Sequence, residues 1–315
     1  MEDLKKALES APKNWGKWGD NDEVGALNYL GNKEVMEGIR SVKKGKTFSL
    51  GLEVSKPGGD IVFPGRSSTI HLMTQDEGTY NAGKTQPLPG GLKFADDLVI
   101  MYLQGTTQCD AIGHAWYGHT LYNNYPAETT SGGLSKASIL PIGKKGIVGR
   151  GILLDVPRYR GVDYLEKGEA ISYNDVIETM KLENIEIKKH DIVLIRTGHI
   201  KIFYEKGPEI YFNPLNEPGI TYERELIEWF YRNEVSAYGA DTLSSELTNS
   251  TTTGTMVPMH IFLMNYLGIP IQELLWLEDL ANDCKADGQY EFLYMASPLK
   301  IHGGTGSPIN PIVIK

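Results

Sequence analysis

The sequence predicts one α/β or α+β domain in which helices and strands form separate layers. Its 315 residues, 41% hydrophobic and 23% charged, have the composition of an ordinary globular protein. Strand-like and helical patterns alternate irregularly rather than as a repeating βαβ array. No repeat, low-complexity tract or long linker divides the chain, so we expect a single domain over residues 1–315.

Short runs rich in β-branched and aromatic residues predict several strands. They are Leu98–Gln104, Gly151–Val156, Asp191–Thr197, Ser236–Ala240, Glu291–Ala296 and Pro311–Ile314. The first of these runs can continue as a strand through Asp110.

Capping residues and apolar periodicity predict three helices. Ser172 and Thr221 are the expected N-caps of two outer-layer helices, Ser172–Leu182 and Tyr222–Asn233. A third helix, over 258–268, starts on a proline and stops at a glycine. It is apolar nearly all round, so we expect it to be buried.

Charge, hydropathy and cysteine content exclude several classes of function. A formal net charge of −9, with basic and acidic residues interleaved, argues against a nucleic-acid surface. No stretch approaches the ~20 apolar residues of a membrane span. Cys109 and Cys284 are far apart, which excludes a thiolate zinc site and fits a reducing, cytoplasmic setting. Neither a Gly-x-Ser-x-Gly elbow nor a His-Glu-x-x-His zinc motif occurs.

The stretch from Gln104 to His114 carries the strongest chemical signal. In a strand, the side-chain period of two puts Gln104, Gln108 and Asp110 on one polar face and Cys109 on the other. The Ala-Ile-Gly turn that follows can swing His114 back toward Asp110, within reach of one ion or one water. On spacing alone, a surface glutamine and a hydrogen-bonded loop histidine are the simpler interpretation.

Four further residues are candidates, each with a structural alternative. His260 lies in the first turn of an apolar helix, where the helix dipole favours the neutral imidazole that binds metals, but a core histidine is equally consistent. Asp241 and Glu246 follow a predicted strand, where sites tend to form, and acidic helix capping is their alternative role. Arg196 needs an anionic partner, either a substrate carboxylate or a structural aspartate.

These residues lie within a resemblance to the cyclase family, which includes bacterial kynurenine formamidases, isatin hydrolases and trans-dienelactone hydrolases. The resemblance covers nearly the whole chain, with WGDNDEVGALN at 18–28, TQCDAIGH at 107–114, VLIRTG at 193–198, ADT at 240–242 and GSPINP at 306–311. It implies a compact domain of the swivelling β/β/α type with a mixed sheet and outer helices. It also implies a small-molecule substrate and assembly as a homodimer or homotetramer.

The family signature is His-x-Gly-Thr-His-x-Asp-x-Pro-x-His. With its last Asp and His set on Asp110 and His114, Gln104 and Gln108 stand at the two earlier histidines, and an isoleucine replaces the proline. Resemblance to isatin hydrolase, where His, Asp and Gln hold a single manganese, implies one divalent ion held by Gln108, Asp110 and His260. Oxygen-rich ligation favours Mn²⁺, with Zn²⁺ second.

The resemblance therefore implies a metal-dependent hydrolase that cleaves an amide, lactam, lactone or formamide bond of a small molecule. His114 would move the proton of a metal-activated water, and Glu273 matches a ligand or base position of the family. Residues expected to support the ligands or the substrate are Gln104, Trp116, Arg196, Asp241 and Glu246.

Two alternatives are open at this point. In a catalytically silenced relative, the two glutamines would leave a protein that only binds a small molecule. In a metal-free hydrolase, Cys109 would act as the nucleophile beside His114.

Overall fold

The fold comes from a computed structural model that describes residues 4–56 and 59–315; the single-domain prediction therefore also covers residues 1–3 and 57–58, which lie outside the described part. The strands are β1 (Thr47–Ser49), β2 (Ile70–Gln75), β3 (Asp96–Ile100), β4 (Gln108–Asp110), β5 (Ile147–Asp155), β6 (Ala170–Ile171), β7 (Ile192–Arg196), β8 (Gly219–Ile220), β9 (Ala237–Ala240), β10 (Ile271–Glu273), β11 (Glu291–Ala296), β12 (Gly306–Pro308) and β13 (Ile312–Ile314).

The α-helices lie between these strands and at the N-terminal side. They are α1 (Leu4–Ser10), α2 (Asn32–Ser41), α3 (Glu77–Asn81), α4 (Ile139–Lys145), α5 (Val156–Arg160), α6 (Tyr173–Leu182), α7 (Lys201–Lys206), α8 (Pro208–Phe212), α9 (Arg224–Arg232), α10 (Pro258–His260) and α11 (Glu278–Asp287). Among the described residues, no helix has the length and apolar character needed to cross a bilayer.

One large mixed sheet organises the domain. Its strand order is β1-β13-β11-β5-β7-β9-β10-β4-β12, and two-stranded sheets pair β2 with β3 and β6 with β8. The central strands β5, β7, β9 and β10 run parallel, whereas the flanking pairs are antiparallel. Mixed pairing and surrounding helices are the α/β architecture expected from the sequence.

The chain path requires this sheet to curl. β12 ends at Pro308 and β13 begins at Ile312, so the connection can reach only about 14 Å. In a flat sheet at roughly 4.8 Å per strand, the positions of these two strands would lie over 30 Å apart. The edges therefore approach each other, and the N–H of Trp276 donates to the carbonyl of Leu50, beyond the end of β1, at 2.8 Å.

The middle of the sheet is buried on both faces. Every residue of β7 and β9 is buried, as expected for parallel strands covered by helices. Helix α2 packs against β5 so closely that a Cβ on Gly38 would lie 2.7 Å from the carbonyl oxygen of Gly149. Glycine is therefore needed where this helix crosses the sheet.

Most predicted elements are confirmed. β5, β7, β9, β11 and β13 match predicted strands, and α6 begins with a capping box between Ser172 and Asp175. The third helix begins at Pro258 and continues as a π-helical segment, Ile261–Tyr266, with mostly buried side chains. It ends at Gly268, whose φ of +66° suits glycine.

The predicted strand from Leu98 through Asp110 is wrong in its middle. β3 ends at Ile100, the chain bends over 101–107, and β4 begins only at Gln108. β3 pairs with β2 outside the large sheet, whereas β4 lies within it between β10 and β12. A chain that changes sheets cannot keep one continuous alternation, so Gln104 reaches its place from a turn.

The predicted N-cap at Thr221 is also wrong. The N–H of Thr221 donates to the carbonyl of Ile171 at 3.2 Å, so this residue still continues the pairing of β8 with β6. The backbone is therefore extended here, and the helix begins three residues later at Arg224, with Glu223 as its N-cap residue.

Candidate metal centre

Two neighbouring strands and one helix bring the candidate ligands together. β4 and β10 are antiparallel, and their register sets Gln108 directly opposite Glu273. Directly opposed residues share a face of the sheet, and the period of two puts Asp110 on the same face as Gln108. His260 comes from the first turn of the buried helix α10. The predicted polar face thus exists over β4.

Asp110, His260 and Glu273 form a compact buried cluster. One ligand atom from each lies within 4.8 Å of the other two. His260 Nε2 is 3.3 Å from Glu273 Oε1 and 3.9 Å from Asp110 Oδ2. The Gln108 side-chain amide donates to Glu273 Oε2, so four side chains surround one point.

Glu246 fixes the orientation of His260. Its carboxylate accepts the backbone N–H groups of Met259 at 2.7 Å and His260 at 2.8 Å, at the start of the helix. His260 Nδ1 lies 2.5 Å from Glu246 Oε1. Because Glu246 holds Nδ1, Nε2 is directed toward the cluster. Glu246 therefore caps the start of this helix and fixes the orientation of the His260 imidazole.

The cluster contains polar atoms that the protein leaves unpaired. Within the described part of the chain, both carboxylate oxygens of Asp110 and Oε1 of Gln108 are buried without a hydrogen-bond partner. Burying an unpaired carboxylate costs several kcal/mol. A cation bound to these oxygens would remove that cost, so the residues present fit a divalent metal ion.

The pKa shifts in the cluster reflect burial and crowded carboxylates. Burial, reinforced by the Asp110 carboxylate, raises the pKa of Glu273 to about 7. Burial alone would lower the pKa of His260, but its hydrogen bonds to Glu246 and Glu273 raise it well above its usual value. In the metal-free protein, a proton on His260 therefore offsets the carboxylate charge that a cation would otherwise neutralise.

His114 lies beside Asp110, where the predicted turn after β4 would bring it. Its N–H donates to the carbonyl of Ala111 at 2.8 Å, which closes the turn after β4. Its Nε2 lies 4.0 Å from Asp110 Oδ2. Burial lowers the pKa of His114; the Asp110 carboxylate opposes this shift, whereas the positive charges of His260 and Arg66 add to it, and the net pKa lies below the usual value. The imidazole is therefore neutral near pH 7 and able to accept a proton.

Gln104 reaches the cluster beside Gly306, a residue of β12. Its Nε2 donates to Thr305 Oγ1 at 3.2 Å. A Cβ on Gly306, which lies opposite Asp110 in β12, would be 2.5 Å from Gln104 Nε2 and 3.2 Å from Asp110 Oδ1. Only glycine leaves room here for the amide and the carboxylate together.

Arg66 was missed in the sequence and lies next to the centre. Its Nη1 donates to the backbone carbonyl of Gln104 at 3.1 Å, and its charge acts on His114. No motif includes Arg66, and nearly forty residues separate it from its partner, so no local pattern could have identified it.

Two predicted supporting residues belong to other networks. Arg196 donates to Asp155 at 2.7 Å and to Glu278 at 2.7 and 2.9 Å, so its anionic partners are structural carboxylates. Asp241 accepts the N–H groups of Thr197 and Gly198, and it secures the turn after β7. The expectations that Arg196 binds substrate and that Asp241 orients ligands are not supported, because these contacts already occupy their polar atoms.

The aromatic residues after His114 split between surface and core. Trp116 is 42% exposed and Tyr117 is 46% exposed. Tyr122 is fully buried and donates its hydroxyl to Asp22 Oδ2 at 2.8 Å, so it is a core residue. Trp116, which is expected from the sequence to support the ligands or the substrate, and its neighbour Tyr117 are therefore accessible from solvent, whereas Tyr122 is not.

Cys109 lies on the opposite face of β4 from the cluster, as predicted, and is completely buried. Burial raises the pKa of its thiol well above the usual value, and the Asp110 and Glu273 carboxylates add to the shift. A thiol held protonated and out of reach of solvent is a poor nucleophile.

Comparison with known proteins agrees with this architecture. The family model described as "Putative cyclase" matches residues 49–247. A crystal structure described as a novel cyclase is 35% identical over 96% of this chain and 100% of its own, with a TM-score of 0.88. No functionally curated protein matches the chain.

More distant structures share the fold at low identity. Isatin hydrolase A from Labrenzia aggregata is 18% identical, with a TM-score of 0.58, and the match covers 89% of this chain and 97% of that one. Isatin hydrolase A from Ralstonia solanacearum is 16% identical, with a TM-score of 0.61, and the match covers 86% and 92%. The family model and the 35% identical structure establish that the chain belongs to the cyclase family.

Proposed function

We propose that the protein is a metal-dependent hydrolase that cleaves an amide, lactam, lactone or formamide bond of a small molecule. The observation that carries the proposal is the buried, unpaired Asp110 carboxylate facing His260 Nε2 and Glu273. An unpaired carboxylate next to other ligand groups is costly in a purely structural core. It suits a protein that binds a cation.

Asp110, His260 and Glu273 would hold the ion, and the carboxamide oxygen of Gln108 is available as a further ligand. This assignment moves Glu273 from the catalytic role expected from the sequence to a ligand role, because it lies in the cluster itself. Three oxygen donors and one imidazole favour Mn²⁺, with Zn²⁺ as the second choice. When bound, such an ion supplies Lewis-acid chemistry, lowering the pKa of a water and polarising a carbonyl.

His114 is the residue best placed to move protons. It lies beside Asp110 but outside the group of three ligands, and its imidazole is neutral near pH 7. It would accept a proton from the attacking water and return it to the leaving nitrogen or oxygen. Its side chain is 24% exposed, so substrate and solvent can reach it.

Small cyclic or acyl substrates are favoured over polymers. The solved relatives include isatin hydrolases, which supports lactams as the first class to test. Exposed Trp116 and Tyr117 follow His114 in the chain and offer flat apolar surfaces for an aromatic ring. A carbonyl beside an aromatic ring is therefore the substrate feature we expect.

The test is hydrolysis of a panel of aryl lactams, lactones and formamides by the untagged protein. We expect turnover that chelation abolishes and that Mn²⁺ or Zn²⁺ restores. Asp110→Asn should abolish turnover while the variant remains folded with a cooperative unfolding transition, whereas Asp20→Asn, which changes an exposed carboxylate, should retain turnover. Metal binding without turnover of any panel member would favour the silenced binding protein instead.

A further inference from the structure

A disfavoured backbone conformation recurs around the metal centre. Among the described residues, three with apolar side chains take the left-handed conformation with positive φ. They are Ala137, Val257 and Leu274. Leu274 directly follows Glu273, and Val257 lies three residues before His260. The carbonyl of Ala137 accepts the N–H of Gly113, next to His114, at 3.0 Å. Because Cβ crowds the following carbonyl oxygen in this conformation, it persists only where the surrounding structure holds it.

The contacts of Leu274 fix the chain immediately after Glu273. Its side chain is completely buried in a small apolar cluster that includes Phe203. Its N–H donates to the carbonyl of Thr242 at 3.0 Å, and its carbonyl accepts the hydroxyl of Thr107 at 2.6 Å. A backbone held on three sides leaves the Glu273 carboxylate little freedom to turn away from the cluster.

Ser245 joins the segment that carries Glu246 to the segment that carries Glu273. It is completely buried and left-handed, with a φ of +53°. Its hydroxyl donates to the carbonyl of Gln272 at 2.8 Å. Ser245 directly precedes Glu246, and Gln272 directly precedes Glu273. One hydrogen bond therefore connects the residue that orients His260 to a proposed ligand.

Val257 is the N-cap residue of α10, in a conformation that suits valine poorly. Its φ is +41° and its ψ is +53°. A β-branched residue rarely takes these angles, and a residue that precedes a proline prefers extended backbone. The apolar side chain makes no capping hydrogen bond. This position therefore lacks both the backbone and the side chain of an ordinary helix cap.

The absence of a capping side chain leaves the first N–H groups of α10 to Glu246. An ordinary N-cap side chain accepts the N–H of the second or third helical residue. In α10 these residues are Met259 and His260, and both donate to the Glu246 carboxylate instead. The same carboxylate holds His260 Nδ1. A side chain at position 257 that competed for these N–H groups would therefore loosen the contact that orients His260.

We propose that Ser245 and Val257 are positioning residues of the metal centre, which hold Glu246 and His260 in place before an ion binds. Ser245 acts through its hydrogen bond to the neighbouring segment. Val257 acts by leaving the start of α10 uncapped for Glu246. The inference rests on the proposed function, because it assigns a purpose to the orientation of a ligand. The orientation itself can be measured in the metal-free protein.

Val257→Thr is the direct test, because threonine has the shape of valine and adds a capping hydroxyl. We expect it to relax to the extended backbone of an ordinary N-cap and to take one N–H from Glu246. The unfolding temperature of the metal-free protein should then stay the same or rise. Mn²⁺ affinity, titrated against a chromogenic chelator, should fall at least ~10-fold. Val257→Ile adds no hydrogen-bonding group and should keep the wild-type affinity.

Ser245→Ala tests the second position, because it removes the hydroxyl that bonds to Gln272. Ser236→Ala is the matched control. Ser236 is also completely buried, and its hydroxyl donates to the carbonyl of His190 at 2.9 Å, before the start of β9. Both variants lose a buried hydrogen bond and some stability. Only Ser245→Ala should lose Mn²⁺ affinity, again at least ~10-fold.

The Nδ1–H proton of His260 gives a readout that does not depend on metal. In metal-free wild-type protein, its bond to Glu246 should produce a sharp downfield proton resonance in NMR spectra. Val257→Thr should broaden this resonance or shift it upfield, and Val257→Ile should not. A stabilising role alone would leave it unchanged in both variants.

Wild-type Mn²⁺ affinity in folded Val257→Thr or Ser245→Ala protein overturns the proposal. If the wild type itself bound no Mn²⁺, the proposed function would fail, and the His260 resonance would decide the inference alone. An unchanged resonance in Val257→Thr would then overturn it, and a shifted or broadened one would support it.

Discussion

Glu246→Gln is the sharpest perturbation of the metal centre that leaves every proposed ligand in place. The carboxylate accepts two backbone N–H groups of α10 and holds His260 Nδ1. A glutamine has the same shape, but one of its two terminal atoms is a donor. At least one N–H group would then face another donor.

The magnitude follows from these contacts. A hydrogen bond to a charged group contributes about 1.5–3 kcal/mol, and loss of one such bond with a new donor–donor contact should lower the unfolding free energy by roughly 2–4 kcal/mol. Loss of the group that orients a ligating histidine typically weakens metal binding by about 10–100-fold. Both effects should therefore appear in one variant.

The assay is titration of the apoprotein with Mn²⁺ and Zn²⁺ in competition with a chromogenic chelator, together with chemical unfolding of the apoprotein. Glu223→Gln is the matched control, because Glu223 Oε2 accepts the N–H of Tyr173 at 2.6 Å and does not contact a histidine. It should lose stability while keeping wild-type metal affinity. Folded Glu246→Gln protein with wild-type affinity would refute the assignment of His260 as an oriented ligand.

Three further predictions test other parts of the account. Burial, with the Asp155 carboxylate next in importance, raises the pKa of Glu183 from 4.5 to about 8. The folded state therefore retains a proton that the unfolded chain releases, so the unfolding free energy should fall as the pH rises from 4.5 to 8. Glu183→Gln should remove roughly 3–5 kcal/mol of this total fall, as measured by denaturant titration at each pH. Gly306→Ala should weaken metal binding at least ~10-fold, because the added Cβ would crowd the Gln104 amide and Oδ1 of Asp110, a proposed ligand, whereas Gly31→Ala should not. Equal metal affinities for the two variants would show that the close approach at Gly306 is unimportant. Cys109→Ser should retain kcat within about threefold in the hydrolysis assay. A roughly thousandfold loss of kcat would instead favour the alternative in which Cys109 is the nucleophile.

Local patterns in the sequence predict the central strands and the capped helices. β7 is a run of apolar residues that ends at Arg196, which donates to the Asp155 carboxylate. α6 is capped by Ser172, and Asp175 follows three residues later. These signals lie within ten residues of the elements that they specify. They can therefore be recognised without any knowledge of tertiary contacts.

The failures arise where distant segments determine the backbone. β4 is only three residues long and is defined by pairing with β10 and β12, both more than 150 residues away. The residues around Gln108 carry no local pattern that indicates either partner strand. The strand predicted from Leu98 therefore continues past Ile100, where β3 ends. Thr221 likewise has the residue type of a helix cap, but its position is set by the pairing of β8 with β6, which the local sequence does not indicate.

The sequence indicates which residues are candidates for the site better than it indicates which of them contact one another. The turn after Asp110 predicts that His114 can return toward this carboxylate, and its Nε2 lies 4.0 Å from Asp110 Oδ2. Glu273 joins the cluster through strand register, and Glu246 through the start of α10. Register and helix position are tertiary properties, so sequence pattern named these two residues without fixing their roles.

The measurement that tests the central claim most directly is the metal content of untagged protein by mass spectrometry, before and after dialysis against Mn²⁺ or Zn²⁺. We expect about one divalent ion per wild-type chain and far less than one in Asp110→Asn, because the unpaired carboxylate is the ligand that the cluster cannot replace. Wild-type protein that stays metal-free after dialysis, or an Asp110→Asn variant that retains a full equivalent, would contradict the assignment of this cluster as a metal centre.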